Sequence, residues 1–159
     1  MTLHEFFLAR WEAEQPAFLK VLRALPKDKL DYTPHERSTK AGDLAWQLVL
    51  EQRLLAQMLE QGTVTWAMAP RPASADEIIA GWERATEELR KQLQVTDEAK
   101  YASPAVMKMD GAPDWTDSIG NMLWGFLFDM IHHRGQLSTY IRPMGGKVPA
   151  IYGPSADEQ

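Results

Sequence analysis

The chain has 159 residues, 45% of them hydrophobic and 25% charged, a balance that suits a water-soluble globular fold with one sizeable core. Its net charge of −5 argues against a nucleic-acid surface, which needs a basic stripe. It has no cysteine, so disulfides, thiolate nucleophiles and cysteine-ligated metal sites are excluded.

The N-terminal run MTLHEFFLARWEAEQP is broken by charge throughout, so no signal peptide is expected. No apolar run approaches the ~20 residues of a bilayer span. A cytoplasmic protein without membrane contact is the expectation. Phe7, Trp11, Phe18, Leu22 and Leu25 recur at helical spacing and predict a first helix over residues 2–25. Pro16 lacks a backbone donor, which predicts a kink there or a late helix start, and Pro26 ends the helix. Residues 25–36, LPKDKLDYTPHE, read as a connector with His35 exposed in it.

Ser38 or Thr39 is expected to cap a second helix that runs to about Gln61 and stops at Gly62. Its apolar stripe is Leu44, Leu48, Leu55 and Met58 or Leu59. Glu51 fills the gap in that stripe, and Gln47 lies on its edge one turn earlier. Residues 62–73 read as a loop with Trp66 and Met68 tucked beneath it. Ser74 and Glu77 form a capping-box pair at the start of a third helix. Ile78, Trp82, Ala85, Leu89 and Leu93 give that helix an unbroken apolar face, so it is expected to be scaffold with no inward polar group.

Residues 95–116 read as irregular, with a weak hairpin signal at Asp110-Gly111. Thr116 or Asp117 opens a fourth helix, from Ser118 to about Met144, with apolar positions Ile119, Met122, Phe126, Leu137, Tyr140, Ile141 and Met144. Continued through its gap, this stripe passes Asp129, Met130 and His133. After Gly145-Gly146, Val148, Ile151 and Tyr152 suggest an extended tail laid against the body. There is no repeat, low-complexity tract or second domain, so residues 1–159 are expected to form a single domain.

Helices with one apolar face each pack as an all-α bundle, and bundles hold metals on inward carboxylates and histidines of facing helices. Gln47 and Glu51 on one helix, and Asp129 and His133 on another, each pair sit four residues apart and so share a face. An imidazole with carboxylate oxygens suits zinc, nickel, iron or manganese. The residues alone leave two alternatives open, a metal site and a buried ion network. His132 points about 100° away from His133 and is structural or at the surface. Arg134 is expected to pair with a carboxylate elsewhere, Gly135 to admit a close helix, Tyr140 to be core and Arg142 to be solvated.

The stretch HHRGQLSTYIRPMGGKVPAIYGPSADE, residues 132–158, resembles the C-terminal signature of the DinB-like family. These are damage-inducible four-helix bundles related to bacillithiol transferases and mycothiol-dependent enzymes. LPKDKLDYTPHERSTKAGDLAWQLVLEQ, residues 25–52, resembles that family's lead into its second helix. The resemblance implies an up-down-down-up four-helix bundle with a long crossover between helices two and four. It also implies homodimerisation and a divalent metal held by three histidines, whose positions here carry Gln47, Asp129 and His133. Only His133 keeps the family's residue type, and Glu51, one turn beyond Gln47, is the expected replacement ligand or general base. The activity implied is that of a metal-dependent hydrolase or thiol transferase acting on a small molecule or thiol. The alternative is a degenerate site in a non-catalytic, small-molecule-binding or dimerising bundle.

Overall fold

The computed structural model describes residues 1–158. Four long helices, α1 (Leu3–Ala24), α2 (Ala41–Gln61), α3 (Ala75–Val95) and α5 (Ile119–Ile141), carry most of the chain. A short helix, α4 (Glu98–Ala102), and three strands, β1 (Thr63–Trp66), β2 (Pro104–Met109) and β3 (Trp115–Ser118), complete the described elements. The protein is therefore helix-dominated but not all-α. None of the described helices is long and apolar enough to cross a membrane.

Local chemistry sets the boundaries. Thr2 and Glu5 form a reciprocal capping box that starts α1 at Leu3. The helix continues through Pro16, which sits on the exposed side, so the expected late start does not occur. The cap expected at Ser38 or Thr39 is absent. Lys40 is the N-cap of α2 and its side chain caps nothing. Gly62 ends α2 as predicted, in the left-handed conformation at φ 75° that glycine adopts without strain. The Ser74–Glu77 box opens α3 as expected, and Ser118 caps α5 through the backbone N–H of Asn121.

Two segments read as irregular form a sheet of order β1-β2-β3. β1 pairs parallel to β2, Thr63 opposite Val106 and Trp66 opposite Met109. β2 pairs antiparallel to β3, Met107 opposite Trp115, around the turn where Gly111 has φ 71°. The weak hairpin signal at Asp110-Gly111 thus marks a real strand pair. Directly opposed residues share a face, and so do alternate residues along a strand. Trp66, Met107, Met109 and Trp115 therefore lie on one side of the sheet. Met68 is 52% exposed rather than tucked under the loop.

α2 packs against α3 and α5, while α1 packs against α3 and α5 from the other side. The buried residues form one contiguous cluster that includes Trp11, Phe18, Leu55, Trp82, Leu89 and Met122. Polar networks that tie helices together enter it at two places, apart from the buried His4 and Glu51. Gln52 on α2 accepts from Trp11 Nε1 at 3.2 Å and donates to Gln15 Oε1 at 3.1 Å and to Thr86 Oγ1 at 3.4 Å. Thr86 belongs to α3, so that helix does present an inward polar group. Its single hydroxyl is masked by the apolar residues on either side. The second place is α5, where Arg134 is 2% exposed and donates to Glu14 Oε2 on α1 at 2.7 Å. The Tyr152 hydroxyl, from the tail, joins that pair and donates to Glu14 Oε2 at 2.5 Å. The tail forms no strand but is pinned there and by the Lys20 ammonium, which donates to Ala150 O at 3.0 Å. Gly135 faces solvent with nothing near its α-carbon, so it serves no close helix approach.

Candidate metal centre and its cavity

The four side chains singled out on α2 and α5 meet. Gln47 Nε2 donates to Glu51 Oε1 at 2.9 Å and lies 2.8 Å from His133 Nε2. His133 Nε2 is 3.3 Å from Asp129 Oδ2 and 4.0 Å from Glu51 Oε1. One ligand atom each from Glu51, Asp129 and His133 falls within 4.8 Å of the others, the one such cluster among the described residues. The two polar interruptions therefore sit at matching depth along their helices.

Their placement relative to the core differs from the sequence reading. Glu51 is 1% exposed and His133 16%, but Asp129 is 48% exposed at the rim. The buried stripe of α5 runs through Phe126, Met130, Arg134 and Leu137, one residue round from the predicted line. Arg134 is thus the polar residue within the core face. Asp129 and His133 lie on its flank, where α5 turns from α2 toward the sheet.

Hydrogen-bond chemistry fixes what the cluster presents. Gln136 Oε1 stands 2.9 Å from His133 Nδ1, and an amide oxygen can only accept. Nδ1 therefore carries the hydrogen, and the Nε2 lone pair points into the cluster, the orientation in which an imidazole ligates a metal. Gln136, one turn beyond His133, was not singled out from sequence, although its i+3 spacing was visible. Glu51 Oε2 is buried with no hydrogen-bond partner. Burial drives the Glu51 carboxyl up to about 8; the Gln47 hydrogen bond opposes this and the nearby Asp129 charge adds to it. In the metal-free protein the Glu51 carboxyl therefore holds its proton at neutral pH, and the Gln47 amide is the other donor among the four groups.

The donor set fits a divalent cation. Two atoms each ~2.1 Å from one ion lie at most about 4.2 Å apart, so the cluster is only slightly wider than a bound ion needs. The unpartnered Glu51 oxygen is the group a cation would satisfy. Gln47 holds the cluster together through its amide N–H groups, and the oxygen of the same amide is a weak neutral ligand once rotated.

Above the cluster lies a cavity of about 280 Å³, walled by Trp66, Met107, Met109, Trp115 and Phe126, with Gln47, Glu51 and Asp129 at its floor. The sheet builds this wall, so its residues escaped a reading that left 95–116 irregular. The Trp115 ring stacks on Phe126 with centroids 5.9 Å apart. It also lies over Gly125, where a β-carbon would come within 2.8 Å of it. The other residues considered lie away from the cavity: His132, His35 and Arg142 are exposed, and Tyr140 is core.

A family model described as the DinB family matches residues 1–159. The chain is 24% identical over 155 residues to the uncharacterized protein YrdA of Bacillus subtilis (strain 168), covering 97% of this chain and 90% of that protein. Its fold is similar to the crystal structure of a DinB-like protein from Bacillus cereus ATCC 10987, with a TM-score of 0.77 at 22% identity over 93% of this chain and 97% of that one. It is also similar to the DinB-like protein YjoA of Bacillus subtilis, with a TM-score of 0.69 at 19% identity over 90% of this chain and 94% of that one. With helix order, fold and a match over every residue in agreement, the chain belongs to the DinB family.

Proposed function

We propose that this protein is a metal-dependent enzyme, of hydrolase or thiol-transferase type, built on a four-helix bundle. In this reading Glu51, Asp129 and His133 hold one divalent cation, which is zinc, nickel, iron or manganese. The observation that supports it most is the convergence of the His133 Nε2 lone pair and two carboxyl groups, one with a buried unpartnered oxygen, within reach of one ion. A divalent cation there supplies Lewis-acid polarisation and a nucleophile at neutral pH. The chain's own residues do the rest. Gln136 fixes the His133 tautomer, and Glu51 ligates or takes up a proton. Asp129 faces the open side, where a substrate enters, and the aromatic wall excludes water.

A second reading is favoured by Gln47. Its amide already satisfies both Glu51 Oε1 and His133 Nε2, as a bundle that binds small molecules without metal would require. Elemental analysis of protein purified without a histidine tag separates the two readings. About one equivalent of metal, a melting temperature lowered by chelator, and a His133→Ala variant indifferent to chelator support the enzyme. A chelator-insensitive wild type with metal far below one equivalent sinks it.

The proposal includes a homodimer. Phe6 and Phe128 flank Trp124 at ring distances of 5.9 and 5.6 Å and are 47% and 63% exposed, an aromatic row shared by α1 and α5. Sedimentation equilibrium at micromolar concentration showing only a species of 18.0 kDa rejects it.

A further inference from the structure

The cavity carries a statement about its ligand that the cluster alone does not. Its wall is made of aromatic rings and thioethers, and its ionisable floor residues, Glu51 and Asp129, are both acids. The cations nearest in sequence are turned away. Lys108 alternates with Met107 and Met109 on β2 and is exposed on the opposite face. Arg53, two residues beyond Glu51, stacks its guanidinium over the Trp46 ring at 4.9 Å. Arg134, one residue beyond His133, is held by Glu14 on the far side of α5. His132 is exposed to solvent.

A carboxylate or phosphate entering this cavity would leave water without meeting a charged donor on its walls. Burying an unpaired charge is unfavourable. A flat apolar body gains by contact with Trp66, Trp115 and Phe126. The stacked Trp115–Phe126 pair and the close seat of the indole over Gly125 hold that wall in place.

We propose that the cavity selects an uncharged molecule with a flat apolar body and rejects small anions, so that a head group reaches the Glu51–Asp129–His133 floor on an aromatic skeleton and not on a carboxylated one. This deepens the metal-enzyme reading and rests on it for the head group, while the wall's preference for the body stands apart from any metal. If the molecule is a thiol, an anionic one is the kind the cavity disfavours.

The test is calorimetric titration of two thiols, 2-phenylethanethiol and mercaptosuccinate, into the full-length protein with and without zinc. The aromatic thiol is expected to bind at least tenfold tighter in both states, and more tightly with zinc than without. Equal affinities, a reversed order, or no binding of 2-phenylethanethiol up to its solubility limit overturns the proposal. A retained tenfold preference that zinc does not alter leaves the proposal standing and removes the metal reading. Two variants guard against a misfolded control. Trp115→Ala should weaken 2-phenylethanethiol at least fivefold and leave zinc affinity unchanged. Met109→Lys, at the half-buried rim, should tighten mercaptosuccinate at least fivefold. Affinities unmoved by both substitutions place the thiols elsewhere and overturn the proposal.

Discussion

Gln47 Nε2 bridges α2 and α5, standing 2.8 Å from His133 Nε2 while donating to Glu51 Oε1 at 2.9 Å. One amide thus occupies the place where a ligand imidazole is implied by the family pattern. Gln47→His should exchange a hydrogen-bond bridge for a second nitrogen donor. Zinc affinity, measured by competition with a chromogenic chelator, is expected to rise at least tenfold. The metal-free variant is expected to lose about 1–2 kcal/mol in urea unfolding, the worth of the amide's bonds to a charged or buried acceptor. Unchanged zinc affinity would show that position 47 lies outside the coordination sphere.

Glu51 gives the metal-free protein a pH dependence of defined sign. Its folded value, about 8, lies above the ordinary carboxylate value, so the folded state holds a proton that the unfolded state has released. The associated stability is present in full below about pH 4, falls as pH rises, and is gone beyond the folded value. Metal-free Glu51→Gln should therefore gain on wild type from pH 5 to pH 8. Zinc binding at pH 7 should also release close to one proton, read by calorimetry in buffers of different ionisation enthalpy. A proton release near zero would mean that Glu51 does not ligate.

The Glu14–Arg134 pair has the opposite sign. Burial pushes the Glu14 carboxyl up, but hydrogen bonds from Tyr152 and Arg134 and the charges of Arg134 and Arg10 outweigh it, leaving Glu14 below its ordinary value. Its contribution is present above the unfolded value and is lost as pH falls through the folded one. Arg134→Met strands the acid in the interior and should cost about 3–5 kcal/mol at pH 7. Arg134→Met with Glu14→Gln should recover more than half of that loss. Additive losses in a double-mutant cycle would rule out coupling.

Gln52 of α2 is fully buried and holds Trp11 and Gln15 of α1 and Thr86 of α3 together. Gln52→Leu matches its volume but leaves the Trp11 indole N–H unpaired and the Gln15 amide oxygen with only a long 3.4 Å bond from Thr86 Oγ1. A loss of about 2–4 kcal/mol in thermal or urea unfolding is expected, from two buried groups at about 1–3 kcal/mol each. A loss under 1 kcal/mol would mean that solvent reaches the network.

Signals written in adjacent residues were legible in the chain: the Ser74–Glu77 box, the Gly62 stop, and the four-residue pairs Gln47–Glu51 and Asp129–His133. Features that depend on distant partners were not. TVTW is too short to declare itself a strand, and its partner lies beyond the whole of α3. The stripe of α5 was placed one residue off because Asp129 and Arg134 are both polar. Only the position of Glu14 on α1 decides which of them faces the core. The cavity wall followed the strands out of view, which is why the floor of the site was readable and its sides were not.

The parallel register of β1 with β2 has a consequence for how the molecule assembles. Thr63 meets Val106, 43 positions later in the chain, so this pairing closes a long loop, whereas the β2–β3 hairpin closes a short one. Contacts at such separation form late and reopen early relative to those within a helix. Gln47 and His133 stand 86 positions apart, so the floor of the site is gathered later still, and water reaches Glu51 until α2 and α5 meet.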